Sequence, residues 1–188
     1  MPETIENYVP QTLAAEHRRQ TFFVWSAVLL LALGWIGFII GAPLAKGFGF
    51  EGFSSAVYKF FGFVCHQIPE RSFHIFERPF AVCTRCFGFY GGFLFGLIVY
   101  PFFRRIEEIE SFPRFWLFLA MIPMGIDWSL GFFEILENTS FSRALTGAIL
   151  GFACAVFIVP ALAEMSRFFV DRKLKRLSAR QPDSSKFS

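Results

Sequence analysis

Three of the four cysteines and two of the three histidines fall in one short segment: Cys65-His66-Gln67-Ile68-Pro69-Glu70-Arg71-Ser72-Phe73-His74, then Cys83-Thr84-Arg85-Cys86. Cys83 and Cys86 form a C-x-x-C at the start of an apolar run. Two sulfurs three residues apart, one helical turn, can share a metal ion or close a small disulfide ring. A helix N-terminus and the adjacent Arg85 both favour thiolate over thiol. Three chemistries fit. Cys65, Cys83 and Cys86 with His66 or His74 would make a tetrahedral Cys3His set, zinc being the expected ion and iron an alternative. Cys83 and Cys86 could instead be a redox dithiol, with Cys65 as resolving partner and a quinone as oxidant. A disulfide could simply staple the segment. Three thiols cannot all pair within one chain, which favours the metal. Cys154 stands apart in the last apolar run and reads as a small core filler.

A second group is charged. Asp127 lies inside an apolar run, followed by Glu134 and Asn138 on what reads as the same helix stripe, with Gly131 between them. At 1.5 Å per residue Asp127 sits about 13 Å from the end of that helix. An ionised carboxylate there needs a partner or water, and Arg85 and Arg143 are the expected partners. Arg71, Arg78, Arg85 and Arg143 are set against Glu70, Glu77, Asp127, Glu134 and Glu137. The arginines could grip a phosphate or carboxylate head group, or could do no more than neutralise the acids.

The elements that position these groups follow from composition. Of 188 residues 54% are apolar, 20% aromatic and 18% charged, with 29 Phe. An ordinary soluble domain carries about 25% charged residues, and this mean hydropathy of +0.48 excludes a disordered chain. A net charge of +3 argues against a nucleic-acid partner. Four runs are long enough to cross a bilayer as helices, Phe22 to about Ala42, about Cys86 to Phe103, Phe115 to about Leu136 and Ala144 to about Met165. The first is too long for the apolar part of a cleaved signal and is read as a retained span. The fold class is an all-α, polytopic four-helix membrane bundle. It divides into a cytoplasmic segment 1–21, a membrane domain 22–165 with an outer loop 43–85, and a basic cytoplasmic tail 166–188.

Orientation follows from Lys and Arg. With the N-terminus inside, twelve of the 18 basic residues are cytoplasmic, Arg18, Arg19, Arg104, Arg105, Arg114 and Arg167 among them, and Arg172, Lys173, Lys175, Arg176, Arg180 and Lys186 in the tail. Both termini are therefore expected in the cytoplasm, and the cysteine segment outside the plasma membrane. Phe50, Phe53, Val57, Phe60 and Phe61 recur at helical spacing, which predicts an extra amphipathic helix, re-entrant, interfacial or packed on the bundle. Gly88/Gly92/Gly96, Gly147/Gly151/Ala155 and Gly34/Gly37/Gly41 predict close helix–helix seams.

The motifs C-H-Q-x-P-x-R-S-F (Cys65 to Phe73) and V-C-x-R-C-x-G-x-Y-x-G (Val82 to Gly92), with Asp127 and R-x-L-T-G (Arg143 to Gly147), resemble the membrane protein family called domain of unknown function 2085. The resemblance runs from about Phe50 to Gly151. It implies a small bacterial or archaeal multi-span protein with no activity attached, in which Cys65, His66, Arg71, Cys83, Arg85 and Cys86 act as a unit. His74 lies outside the pattern, which favours His66 as the fourth ligand.

The resulting expectation is an extracytoplasmic Cys3His metal site beside an Arg/carboxylate cavity made by Arg71, Arg85, Asp127 and Arg143. Its partners would be membrane lipid and an anionic or lipid-linked small molecule. If the cavity is catalytic, a metal-bound or Asp127-activated water would attack that molecule. The alternatives are a quinone-coupled thiol oxidoreductase and a non-enzymatic scaffold or carrier.

Overall fold

The computed structural model describes residues 11–135 and 138–178, side chains from 14 to 172. Glu137, Arg180 and Lys186 lie outside the described residues, as do the side chains of Lys173, Lys175 and Arg176. The helices are α1 (Gln11–Gly47), α2 (Glu51–Gly62), α3 (Thr84–Phe103), α4 (Phe115–Phe132) and α5 (Ser140–Ser178). A two-stranded hairpin, β1 (His74–Ile75) and β2 (Arg78–Pro79), lies between α2 and α3. Four of these helices, α1, α3, α4 and α5, are long and apolar enough to cross a membrane. Large apolar side chains such as Phe23, Leu31, Phe118 and Phe168 are exposed along them. In lipid such faces are in a matching solvent.

The seam at the centre of the bundle is made of glycine. A Cβ on Gly88 or Gly92 would lie 2.1 Å from the carbonyl oxygen of Ala144 or Ala148. In return, a Cβ on Gly147 would lie 2.3 Å from the Arg85 carbonyl oxygen, and one on Gly151 2.0 Å from that of Phe89. The backbones of α3 and α5 therefore touch, and this is the most extensive helix pair in the structure. The third small-residue stripe behaves differently. Gly34, Gly37 and Gly41 have nothing within 4 Å of a built Cβ, because α1 meets α2, α3 and α5 through other faces.

The helices outrun their apolar cores. α1 has 37 residues and α5 has 39, both longer than the roughly 20 a bilayer requires. At one end His17 Nε2 lies 3.1 Å from Asp171 Oδ1, tying the two extensions. α4 is shorter than expected. It stops at Phe132, and Glu134 takes a left-handed φ of 56° in the turn that follows. Glu134 and Asn138 are consequently off the helix, and Asp127 lies five residues, about 7.5 Å, from its end rather than about 13 Å.

α2 is amphipathic, as its spacing predicted, and packs on the end of α1. Its buried stripe is Ser54, Val57 and Phe61, with Ser54 Oγ donating to the Ala42 carbonyl at 2.8 Å. Phe50, Phe53 and Phe60 remain exposed.

Candidate metal and anion site

The segment from Cys65 to Cys86 is held by polar side chains acting on backbone. Gln67, with φ 49°, donates from Nε2 to the carbonyls of Tyr58 at 2.7 Å and Ala81 at 2.8 Å. The Tyr58 hydroxyl donates to the Pro79 carbonyl. Ser72 Oγ donates to the Ile68 carbonyl at 2.9 Å and closes the single turn at Pro69–Arg71. Phe73, Phe80 and Phe87 stack edge to face beneath the hairpin. The hairpin turn, Phe76-Glu77, has positive φ at both residues. That is the backbone of a tight two-residue turn normally signalled by Asn-Gly or Asp-Gly. Nothing in the local sequence carries that signal.

These ties bring distant cysteines together. The thiol sulfurs of Cys65, Cys83 and Cys86 all lie within 4.8 Å of one another. Cys65 is buried, and Cys83 and Cys86 are half-buried. Cys83 caps α3 with an extended backbone, and its N–H donates to Cys65 Sγ at 3.2 Å. Hydrogen bonds from the Cys83 and Cys86 thiols, reinforced by that N–H, hold Cys65 well below the ordinary thiol range, against the opposing effect of burial. Neither histidine joins the sulfurs. His66 is exposed and lines the adjoining cavity, whereas His74 is exposed on β1, outside that cavity. Cys154 sits on α5, apart from the cluster.

The cavity measures about 610 Å³ and opens between the cysteine segment, α3, α4 and the start of α5. Its walls include all three clustered cysteines, His66, Arg71, Arg85, Arg143, Tyr90, Trp128 and Asn138. Asp127 stands just behind it, 8% exposed, paired with Arg85 and accepting from Ser142 Oγ at 2.8 Å. Asn138 folds back from the loop and donates to the Asp127 backbone carbonyl, with its amide against Gly131. Arg143 lines the cavity but makes no ion pair with Asp127. Among the described residues, the Arg85–Asp127 pair is the one Arg–carboxylate ion pair at this end of the bundle. Among the described residues, Arg71 and Arg143 have no carboxylate within ion-pair distance and line the cavity.

The profile of the predicted membrane protein family of unknown function, DUF2085, matches residues 65–157, from the first clustered cysteine through most of the α3–α5 seam. An uncharacterized protein of Methanocaldococcus jannaschii is 34% identical over 145 residues, 73% of this chain and 93% of its own length. The chain belongs to this DUF2085 family of membrane proteins. A second relative, an uncharacterized protein of Methanothermobacter thermautotrophicus, is 33% identical over 99 residues, 51% of this chain and 85% of its own. No solved structure matches the chain. The match to the family spans every group that forms the cavity wall from Cys65 to Arg143. Gln67 and Tyr58, which hold the cysteine segment in place, are missed by a reading for ligands and charges. The Gln of the C-H-Q motif was the available signal.

Proposed function

We propose that this DUF2085 protein is a membrane metalloprotein that binds an anionic small molecule or lipid head group beside its metal. Cys65, Cys83 and Cys86 would hold one metal ion. Zinc is expected from three thiolates, and iron is compatible with the same donors. The observation that carries this reading is the convergence of three sulfurs within 4.8 Å on the wall of a cavity that also exposes Arg71 and Arg143. His66 lines that cavity and is the side chain available to complete a Cys3His set. Without His66, a metal held by the three cysteines alone would have room for a ligand from the cavity. An ion with an open position acts as a Lewis acid on a bound oxygen. The protein's own part is to position an anion with Arg71 and Arg143, while Asp127 holds Arg85 in place. Placing the cysteine-bearing end outside the cytoplasm, with both termini inside, follows from the excess of Arg at the opposite end.

Metal content by mass spectrometry on detergent-purified protein, with a free-thiol count on the same sample, tests the reading. The expected result is about one zinc or iron per chain, lost in Cys83→Ser. A metal-free protein with two oxidised thiols would overturn it. That result would favour a thiol–disulfide oxidoreductase, in which the Cys83 and Cys86 thiols form a disulfide and pass two electrons and two protons to a quinone, giving the quinol. The acidified Cys65 beside two further sulfurs is the feature that supports this second reading.

A further inference from the structure

A second cavity lies at the other end of the bundle, about 30 Å from the cysteines along the 20 residues of α3. It measures about 750 Å³ and is lined by Arg18, Arg19 and Phe22 of α1 and by Arg104, Arg105 and Glu107 following α3. Two separate stretches of chain thus bring four guanidinium groups to one opening. Arg104 is already engaged, with Nε 2.9 Å from Glu108 Oε2 and a longer approach to Glu110. Among the described residues, Arg18, Arg19 and Arg105 have no carboxylate within ion-pair distance. Glu107 is the acid that lines the cavity, so positive charge remains in excess.

The surroundings say what form the anion takes. Phe22 on the cavity wall is 56% exposed, and Phe102 and Phe103, which immediately precede Arg104 in the chain, are 83% and 80% exposed. A ligand here would meet guanidinium groups at one end and an apolar, lipid-facing surface at the other. Arginine pairs with phosphate bidentately and is weakly hydrated. Basic pockets between membrane helices suit anionic lipid head groups. We propose that Arg18, Arg19 and Arg105 form a binding site for a phosphate group carried by an anionic membrane lipid, separate from the metal-and-anion cavity. The acyl chains would lie along Phe22 and Phe102.

Native mass spectrometry of the full chain, titrated with phosphatidylglycerol or with phosphatidylcholine, tests this. Wild type should retain one phosphatidylglycerol in preference to phosphatidylcholine. Arg18→Gln combined with Arg105→Gln should weaken that retention at least about tenfold. Both side chains are exposed, and unchanged helicity by circular dichroism will show that the fold is kept. A control variant, Arg114→Gln with Arg172→Gln, removes the same charge away from the cavity and should retain the lipid. Thermal protection by inorganic phosphate alone, lost in the Arg18/Arg105 variant, would keep the phosphate site but assign it to a soluble anion. Equal retention of both lipids by wild type, with no effect of phosphate, would overturn the proposal. So would an equal loss in the control variant, which would reduce the effect to overall surface charge.

Discussion

Asp127 of α4 forms an ion pair, from behind the cavity wall, with Arg85 of α3 on that wall, and Arg85 is the residue between Thr84 and Cys86 of the C-x-x-C motif. α4 packs chiefly on α5, so this pair is a specific link from α4 to the helix that carries Cys86 and is capped by Cys83. Ser142 of α5 donates to the other carboxylate oxygen, at 2.8 Å. One carboxylate therefore joins three membrane helices at the level of the site.

Removing one partner of a buried pair leaves the other charge uncompensated. Asp127→Asn and Arg85→Gln should each destabilise the protein by about 3 kcal/mol, with a double variant less costly than the sum. A double-mutant cycle on thermal or denaturant unfolding in detergent measures the coupling. An additive cycle would remove the pair from the account of how α4 is held.

The α3–α5 seam offers a comparison between neighbours. A Cβ on Gly92 would meet Ala148 backbone at 2.1 Å, whereas one on Gly91 meets nothing within 4 Å. Gly92→Ala should cost about 1–3 kcal/mol as the backbones are forced apart. Gly91→Ala should be neutral or stabilising by roughly 0.5 kcal/mol, since alanine favours helix. Equal effects in unfolding assays would mean that the two helices do not touch as described.

Ligand identity at the metal centre is read by substitution. Serine at Cys65, Cys83 or Cys86 should abolish metal retention. His74→Ala should leave it unchanged. His66→Ala should lower retention about 10–100-fold or less, if His66 acts only from the periphery of the site. Complete loss of metal in His66→Ala would make it an obligatory fourth ligand. Metal stoichiometry after dialysis against a chelator decides among these.

Tyr58 supplies a pH test that does not involve the metal. Burial pushes its phenol above the ordinary value of 10.0, with Arg78 opposing weakly. A raised acid pKa in the folded state means that the neutral form contributes stability below the unfolded-state value. That contribution is lost as pH rises through the folded-state value. Ionisation also removes the proton donated to the Pro79 carbonyl. Wild type should therefore lose stability above about pH 10 by a component absent in Tyr58→Phe, measured as melting temperature against pH. Parallel curves would show that the hydroxyl contributes nothing.

Much of this protein is determined locally by its chain. Four apolar runs each satisfy their own backbone as helices, the amphipathic spacing of Val57 and Phe61 forms α2, and the glycine spacing of α3 and α5 sets their close approach. The C-H-Q and C-x-R-C motifs likewise identify the residues of the candidate site and the family. Tertiary structure decided how those residues meet. The sulfurs of Cys65 and Cys86, 21 positions apart, converge because Gln67 and Tyr58 bind backbone carbonyls across a hairpin whose turn has no local sequence signal. Asp127 chose Arg85 over Arg143, and α4 stopped at Phe132 so that Asn138 could fold back onto it. Arg18 and Arg105, read from sequence only as orientation signals, came together at one cavity. Helix periodicity is a property of neighbours a few residues apart. Partner choice among charges and thiols depends on how loops and helix ends fold back, which no short-range pattern encodes.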